Sequence, residues 1–197
     1  IVSKEDLIAR VYTLPSNFGR VFRAGIRPNP NNPLAAQLYI ISRDADEKLI
    51  SSPDTLKKNL RSYLNQFRLV SDAIDILDAR VVNIKIEFEI VIDPSFNRSI
   101  TVQSVITKLK EFFYIKNFKI DQPIVLSDVN NIIYNNPGVI SINSLAIKNL
   151  HGSTNNRMYS DVLHNIPANT VKVLVLPPPG GIFELKFSNF DLLGAAV

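Results

Sequence analysis

The chain has 197 residues, of which 46% are hydrophobic and 20% are charged, so it can bury one substantial core or two small ones. Its formal net charge of +4 is spread along the chain, and the absence of a long Lys/Arg run leaves nucleic-acid binding without support. The absence of cysteine excludes disulfides, thiolate catalysis and cysteine zinc sites. No stretch approaches the roughly 18 consecutive apolar residues of a membrane span.

The first segment, residues 1–50, is predicted to form a helix and a β-hairpin. Residues 1–10 have a helical pattern, with Ser3 as the capping residue and acidic residues in the first turn. Two apolar strands, 21–26 and 34–42, flank a polar loop that is rich in Pro and Asn. Because the chain starts with Ile1 rather than Met, we expect it to be a processed product or, as the favoured alternative, a piece of a longer polypeptide.

The second segment, residues 51–150, opens with a predicted helix that ends near Arg68. Ser51 or Ser52 can cap this helix, and Pro53 suits its first position, where a missing N–H costs nothing. The buried stripe consists of four residues at helical spacing: Leu56, Leu60, Leu64 and Phe67. An acidic link is then expected to lead to the central strand.

The most regular pattern of the chain lies between Arg80 and Ile147. Residues 82–92 alternate almost without a break, which predicts a strand with one buried and one solvent-facing side. The buried side comprises Val82, Ile84, Ile86, Phe88, Ile90 and Ile92, and the solvent-facing side includes Asn83, Lys85, Glu87 and Glu89.

Four further elements complete this region. They are an amphipathic helix over 102–113, a short strand over 123–126, a helix capped by Ser127 and stopped at 136–138, and a strand over 139–147. The order β-α-β-α-β predicts an α/β (α+β) fold, a small helix-on-sheet sandwich with both helices on one face of the sheet.

The third segment, residues 151–197, is predicted to be a C-terminal arm. Residues 151–169 show little periodicity, and a second hairpin is expected from strands at 171–176 and 182–187 around a Pro/Gly-rich turn. The last residues are apolar and poor in charge, which is typical of a segment that packs against something. Their composition makes six residues interface candidates, with core packing inside the same chain as the alternative: Ile182, Phe183, Phe187, Phe190, Leu192 and Leu193.

No catalytic, cofactor-binding or metal motif is found. His151 and His164 match no compact zinc spacing, and two histidines facing solvent from a loop are the preferred interpretation. The sequence also has no nucleophile elbow around a serine and no phosphate-binding loop. We therefore expect no cofactor and no enzymatic activity.

Two alternatives remain open. The spacing of Asp72, Asp75 and Asp78 would place three carboxylates on one side of a helix, which suits a small metal-dependent hydrolase, although a solvated connector is favoured. A nucleic-acid binder with a sheet platform is disfavoured because Glu87 and Glu89 would repel phosphate. Four tyrosines fall within apolar patterns, which favours packing over base stacking: Tyr39, Tyr63, Tyr114 and Tyr134.

The order of the elements resembles that of the baseplate J-like wedge proteins of contractile-tailed bacteriophages. Residues 124–142, which read IVLSDVNNIIYNNPGVISI, carry most of the resemblance. The N-terminal stretch 5–10, followed by Leu14-Pro15 and the strand at 21–26, also suits the family. Within the family, the chain is most similar to the C-terminal part of the subunits that form the inner ring of T-even-like baseplates.

The resemblance implies a structural role. Proteins of this family pair with copies of themselves and with other wedge proteins, and they join wedges into a ring around the tail hub in the virion. They catalyse nothing and carry no cofactor, so the family has no catalytic residues to transfer. We accordingly expect contacts with other baseplate proteins, assembly in the cytoplasm of the bacterial host, and no small-molecule, nucleic-acid or membrane partner.

Overall fold

The computed structural model of the chain describes residues 3–67 and 73–197. The chain has an α+β fold and forms two compact units. The first unit comprises residues 1–80, 119–121 and 179–181, and the second comprises 81–118, 122–178 and 182–197. These units do not follow the three predicted segments, because the segment after residue 50 is divided between them and the C-terminal strands join the central sheet.

The first unit is a small sheet covered by two helices. Its elements are α1 (Lys4–Tyr12), β1 (Arg23–Asn29), β2 (Asn32–Arg43), β3 (Leu49–Ile50), α2 (Asp54–Leu64) and β4 (Ala73–Asp78). Strand β2 pairs antiparallel with β1 and β3 and parallel with β4. The core is formed where Leu7 and Val11 of α1 meet Leu60 of α2, Leu38 of β2 and Ile76 of β4.

The N-terminal predictions agree with this unit, with differences at the ends of elements. Ser3 caps α1, where its hydroxyl accepts a hydrogen bond of 3.1 Å from the backbone N–H of Asp6. The predicted hairpin is confirmed, but its strands extend into the predicted loop, because Pro28 lies on an edge strand where its missing N–H is tolerated.

Helix α2 differs from its prediction at both ends. It ends at Leu64, so Phe67 lies beyond it, and Arg68 is outside the described residues. No side chain caps its start, because the Ser52 hydroxyl pairs instead with the Ser42 hydroxyl at 2.9 Å. The predicted acidic link is also wrong in its described part, which forms strand β4 and places Ile76 in the core.

The second unit is organised around one long strand. Its elements are β5 (Arg80–Ile92), α3 (Arg98–Phe112), β6 (Ile124–Val125), α4 (Leu126–Tyr134), β7 (Val139–Leu150), β8 (Ser153–Thr154), β9 (Arg157–Met158), β10 (Thr170–Val171), β11 (Leu174–Val175), β12 (Gly181–Glu184) and β13 (Leu192–Ala196). Strand β5 pairs antiparallel with β7, parallel with β13, and also with β12. All six predicted inward side chains of β5 are buried, which confirms the alternation.

The order β-α-β-α-β is confirmed, while two predicted pairings are wrong. Strand β6 does not join the sheet of β5 but pairs with β11, beside β10. The predicted second hairpin is absent from the described residues, since β12 pairs with β5 rather than with β11. The prolines at 177–179 have no N–H to donate, so the β11 ladder cannot continue through them.

Two local predictions in the second unit are also corrected. Helix α4 begins at Leu126, and its start has no side-chain cap, so Ser127 lies inside the first turn rather than at the cap. Asn83 is fully buried instead of facing solvent. Its side-chain NH2 group donates to the Glu184 carboxylate at 2.7 Å, and its side-chain oxygen accepts from the Ser160 backbone N–H. No helix in the described part of the chain is long and apolar enough to cross a membrane.

Candidate assembly surface

The aspartate cluster of the metal hypothesis does not form in the described residues. Asp75 and Asp78 both lie on β4, three positions apart, so their side chains leave opposite faces of the strand. Asp72 lies outside the described residues. A strand places residues i and i+3 on different sides, whereas the hypothesis required a helix.

Both described carboxylates are already bonded within the first unit. Asp78 accepts a hydrogen bond of 2.6 Å from the Lys57 ammonium group and one of 3.2 Å from the Ser52 backbone N–H. The Asp75 carboxylate accepts from the Asn29 amide at 3.1 Å. The hydrogen bond to Asp78 raises the pKa of Lys57, so this ammonium group stays charged and neutralises its partner.

The two histidines have different environments. His151 is exposed, as expected, but the prediction that His164 faces solvent is wrong. The His164 ring is buried, and its Nε2 lies 2.8 Å from the Leu176 carbonyl oxygen. A carbonyl can only accept, so Nε2 carries the proton and the ring holds two loops together. Among the described residues, no group of three or more His, Cys, Asp or Glu side chains could hold a metal ion.

The six interface candidates differ in their exposure to solvent. Ile182, Phe183 and Leu192 are buried inside the second unit, where they serve as core residues in β12 and β13. Phe187 is half-buried, and its ring meets the Tyr159 ring edge to face. Only Phe190 and Leu193, which are 54% and 46% exposed, are available to a neighbour.

Phe190 is held in place by the residues around it. The guanidinium group of Arg157 lies over its ring, 3.6 Å from the ring centroid. The adjacent Asp191 carboxylate accepts hydrogen bonds from the Tyr159 hydroxyl at 2.8 Å and from the Phe187 backbone N–H at 3.1 Å. Burial raises the pKa of Asp191, and burial together with the bond to Asp191 raises the pKa of Tyr159 to about 12.

Leu193 lies on the solvent-facing side of the β5 sheet, which we call the open face. The register pairs Leu193 with Glu87, and Ala195 with Glu89, so these side chains emerge on the same side. Strand β7 contributes Ser144, Ala146 and Lys148 to the open face, where they pair with Glu89, Glu87 and Lys85 of β5. The opposite face of the sheet is the core face, and helices α3 and α4 contact each other and strands β13 and β7.

On the open face, one carboxylate bonds two ammonium groups. The Glu87 carboxylate bonds both the Lys148 ammonium group and that of Lys85, the latter at 2.7 Å. The bond from Lys148, followed by that from Lys85, holds the pKa of Glu87 below its ordinary value. Glu89 accepts a hydrogen bond from the Asn143 amide. The carboxylates of Glu87 and Glu89 lie on the same face as the two lysines, so this face has no uninterrupted stripe of positive charge for a nucleic acid.

Two of the four tyrosines are buried or half-buried, and the other two are exposed. Tyr39 is buried and Tyr63 is half-buried, both in the first unit, so packing accounts for them. Tyr114 and Tyr134 are exposed in the second unit, where their rings lie on the surface next to α3 and at the end of α4.

Sequence reasoning did not identify strand β7 as part of a surface. The prediction treated its residues as the last strand of a sandwich, with weaker alternation than β5. That weak alternation, with Ser141, Asn143 and Ser144 among apolar residues, was the available signal, because a strand with little contrast between its faces is prone to pair with other strands.

No protein-family model and no curated protein sequence matches the chain. Its fold is similar to part of a chain in the cryo-EM structure of the anti-feeding prophage baseplate, sixfold symmetrised, with a TM-score of 0.52. The similarity covers 75% of this chain and 33% of that chain, at 8% sequence identity. The chain therefore spans about a third of the length of the baseplate chain and shares the fold of that part.

Proposed function

We propose that the chain is a structural subunit of a contractile-tail baseplate of a bacteriophage. In this role it joins wedges into the ring around the tail hub, through contacts with copies of itself and with other wedge proteins. It acts in the virion tail after assembly in the cytoplasm of the bacterial host. The observation that carries the proposal is the shared fold with a baseplate chain over 75% of the present chain.

The surface of the second unit supports an assembly role. Large apolar side chains stand exposed on several of its elements, including Ile100 on α3, Tyr134 on α4 and Met158 on β9. Phe190 and Leu193 add two more near the C-terminal strand. Assembly contacts are typically anchored by a few aromatic and aliphatic side chains of this kind.

The role that we propose involves no catalysis and no cofactor, and the residues considered for a metal-dependent hydrolase do not converge in the described part of the chain. The carboxylates Asp75 and Asp78 point to opposite sides of β4, and the latter is neutralised by Lys57. His164 is occupied by a backbone carbonyl. A hydrolase would require convergent groups around a pocket.

Location in the particle tests the proposal. Tail particles from the producing bacterium are labelled with a gold-conjugated antibody against this chain and imaged by electron microscopy. Gold confined to the baseplate at the tip of the tail is expected. Label on the capsid, or chain that is found only outside particles, would overturn the structural role.

A second experiment tests the two exposed interface residues. Phe190→Ser and Leu193→Ser are expected to reduce the incorporation of the chain into baseplates, measured by sedimentation, because each removes an apolar anchor from the surface. Ile50→Ser is the matched control, since Ile50 is 42% exposed but lies in the first unit. Equal incorporation of all three variants would remove Phe190 and Leu193 from the interface. Point substitutions are needed because deletion of residues 177–197 would remove β12 and β13 from the sheet.

A further inference from the structure

Strand β7 forms an open edge of the central sheet. It pairs with β5 on one side, and no other strand of residues 3–67 or 73–197 pairs with its other side. The strand is 12 residues long, about twice the usual length. An edge of this length exposes a row of backbone N–H and C=O groups that can pair with another strand.

Of the usual protections of an edge, the second half of β7 has one charged side chain, Lys148. The strand contains no proline, and its single charged residue, Lys148, lies on the open face rather than pointing into the core. Both irregularities of the β5–β7 register lie on the other half, beside Glu89 and Val91 of β5. Residues 144–148 therefore offer a regular and nearly uncharged edge.

The hydrogen bonds on the side of β5 opposite to β7 show which backbone N–H and C=O groups of β7 point outwards. The Ile86 N–H donates to the Asp191 carbonyl at 2.7 Å, and the Ile90 carbonyl accepts from the Val197 N–H at 3.0 Å, so even-numbered β5 residues bond towards β13. Odd-numbered residues bond towards β7, where their partners include Ser144, Ala146 and Lys148. The backbone groups of Leu145 and Ile147 therefore point away from the sheet.

We propose that a second copy of this chain pairs with β7 through this edge, antiparallel, with the two-fold axis at Ala146. Leu145 of one copy then exchanges backbone hydrogen bonds with Ile147 of the other, and the two sheets become one. The inference rests on the proposed assembly role and deepens it, because it names the partner at this edge as a second copy.

The register makes the core faces continuous. Leu145 pairs with Phe88, and Ile147 pairs with Ile86, within one copy. Across the axis Leu145 meets Ile147 of the second copy, so an apolar row runs from Phe88 through both edges to Ile86 of the second copy. A two-fold contact needs a surface that complements itself. The apolar row meets this requirement, because the contact between Leu145 of one copy and Ile147 of the other occurs once on each side of the axis.

Charge complementarity favours a second copy as the occupant. In each copy Lys85 and Lys148 share the single carboxylate of Glu87. The proposed register sets Lys148 opposite Ser144 of the second copy, whose neighbour on the next strand is Glu89. The backbones of Lys148 and that Glu89 are then about 10 Å apart, two strand spacings, which their two side chains can bridge over the small serine. Lys148, which shares the Glu87 carboxylate with Lys85 in its own copy, thus gains a carboxylate partner in the second copy.

The test places charges at the axis, where Ala146 of each copy faces the other. Ala146→Lys and Ala146→Glu are each expected to weaken self-association of the full chain by roughly tenfold or more, because like charges meet at close range. An equimolar mixture of the two variants is expected to restore association, because opposite charges then meet. Gln103→Lys, on the exposed side of α3, adds the same charge elsewhere and is expected to associate like the parent.

Sedimentation velocity over a concentration series gives the association constants, and circular dichroism verifies that each variant is folded. A parent that is monomeric at every concentration would overturn the inference. A parent dimer that is insensitive to both Ala146 variants would also overturn it, since the contact would lie elsewhere. Neither result bears on the gold-labelling experiment, so the baseplate role stands or fails separately.

Discussion

Gly194 on β13 allows a sharp test of how the C-terminal strand is packed. A Cβ atom at this position would lie 2.3 Å from Cζ of Phe88 and 2.8 Å from both of its Cε atoms. The Phe88 ring is 3% exposed and belongs to the core, so it cannot swing into solvent. Gly194→Ala is therefore expected to force the parallel β5–β13 pair apart or to displace the ring.

Two opposing effects determine the magnitude. The backbone of Gly194 does not have a positive φ, so alanine is sterically allowed there, and a Gly→Ala change alone would stabilise by about 0.4–1 kcal/mol. Overpacking of a core typically costs about 1–3 kcal/mol, and a contact of 2.3 Å belongs in the upper part of that range. We expect a net loss of about 2 kcal/mol in the free energy of unfolding.

The measurement is urea unfolding followed by circular dichroism, because the chain has no tryptophan for fluorescence. Phe88→Leu removes the ring atoms that clash, so in that background Gly194→Ala is expected to become neutral or slightly stabilising. The result is thus a coupling energy between two residues in contact. A Gly194→Ala variant as stable as the parent, or one with the same loss in both backgrounds, would refute the proposed packing of β13 on β5.

Three further predictions concern polar groups. Lys57→Met is expected to lower the free energy of unfolding at pH 7 by about 1 kcal/mol, because the Asp78 carboxylate loses its ion pair; a loss below about 0.2 kcal/mol would show that the pair contributes nothing. Asp191→Asn is expected to change the pH dependence of stability. The raised folded-state pKa of Asp191 means that this carboxyl favours folding at low pH and opposes it once the pH has passed that pKa. The variant should therefore gain stability relative to the parent as the pH rises from 4 to 7, and a constant difference would contradict the burial of the carboxyl beside Tyr159. Ser3→Ala removes the cap of α1 and is expected to cost about 1 kcal/mol, measured by urea unfolding, while Ser3→Asp should retain most of the stability; equal losses in both variants would exclude capping.

Strands and helices with strong periodicity were predicted from the sequence because one buried face imposes the pattern on its own. The capped helix α1 and the alternating strand β5 are examples. In β5, a slip by one residue would expose every apolar side chain of the strand. The interface candidates show the opposite case. Composition could not separate Ile182 and Phe183, which fill the core, from Phe190, which lies on the surface.

Several polar residues were also beyond the reach of the sequence. Asp75 and Asp78 have a spacing that suits a helix, and only the parallel pairing of β4 with β2 shows that they lie on opposite faces. His164 sits in a segment without periodicity, and its burial depends on the carbonyl of Leu176, which the fold brings to its ring. Such contacts join residues that no local pattern connects.

The sequence by itself determined the elements whose hydrophobic period is local: the two helices of each unit, the long central strand and the β-α-β-α-β order. The tertiary structure alone decided which strands pair. It placed the C-terminal strand in parallel beside β5, joined β6 to β11, and gave the outer side of β7 no partner strand among the described residues. The physical reason is that side-chain periodicity reports which face of a strand is buried. Strand order depends instead on backbone hydrogen bonds, which every residue type can make, proline as an acceptor only.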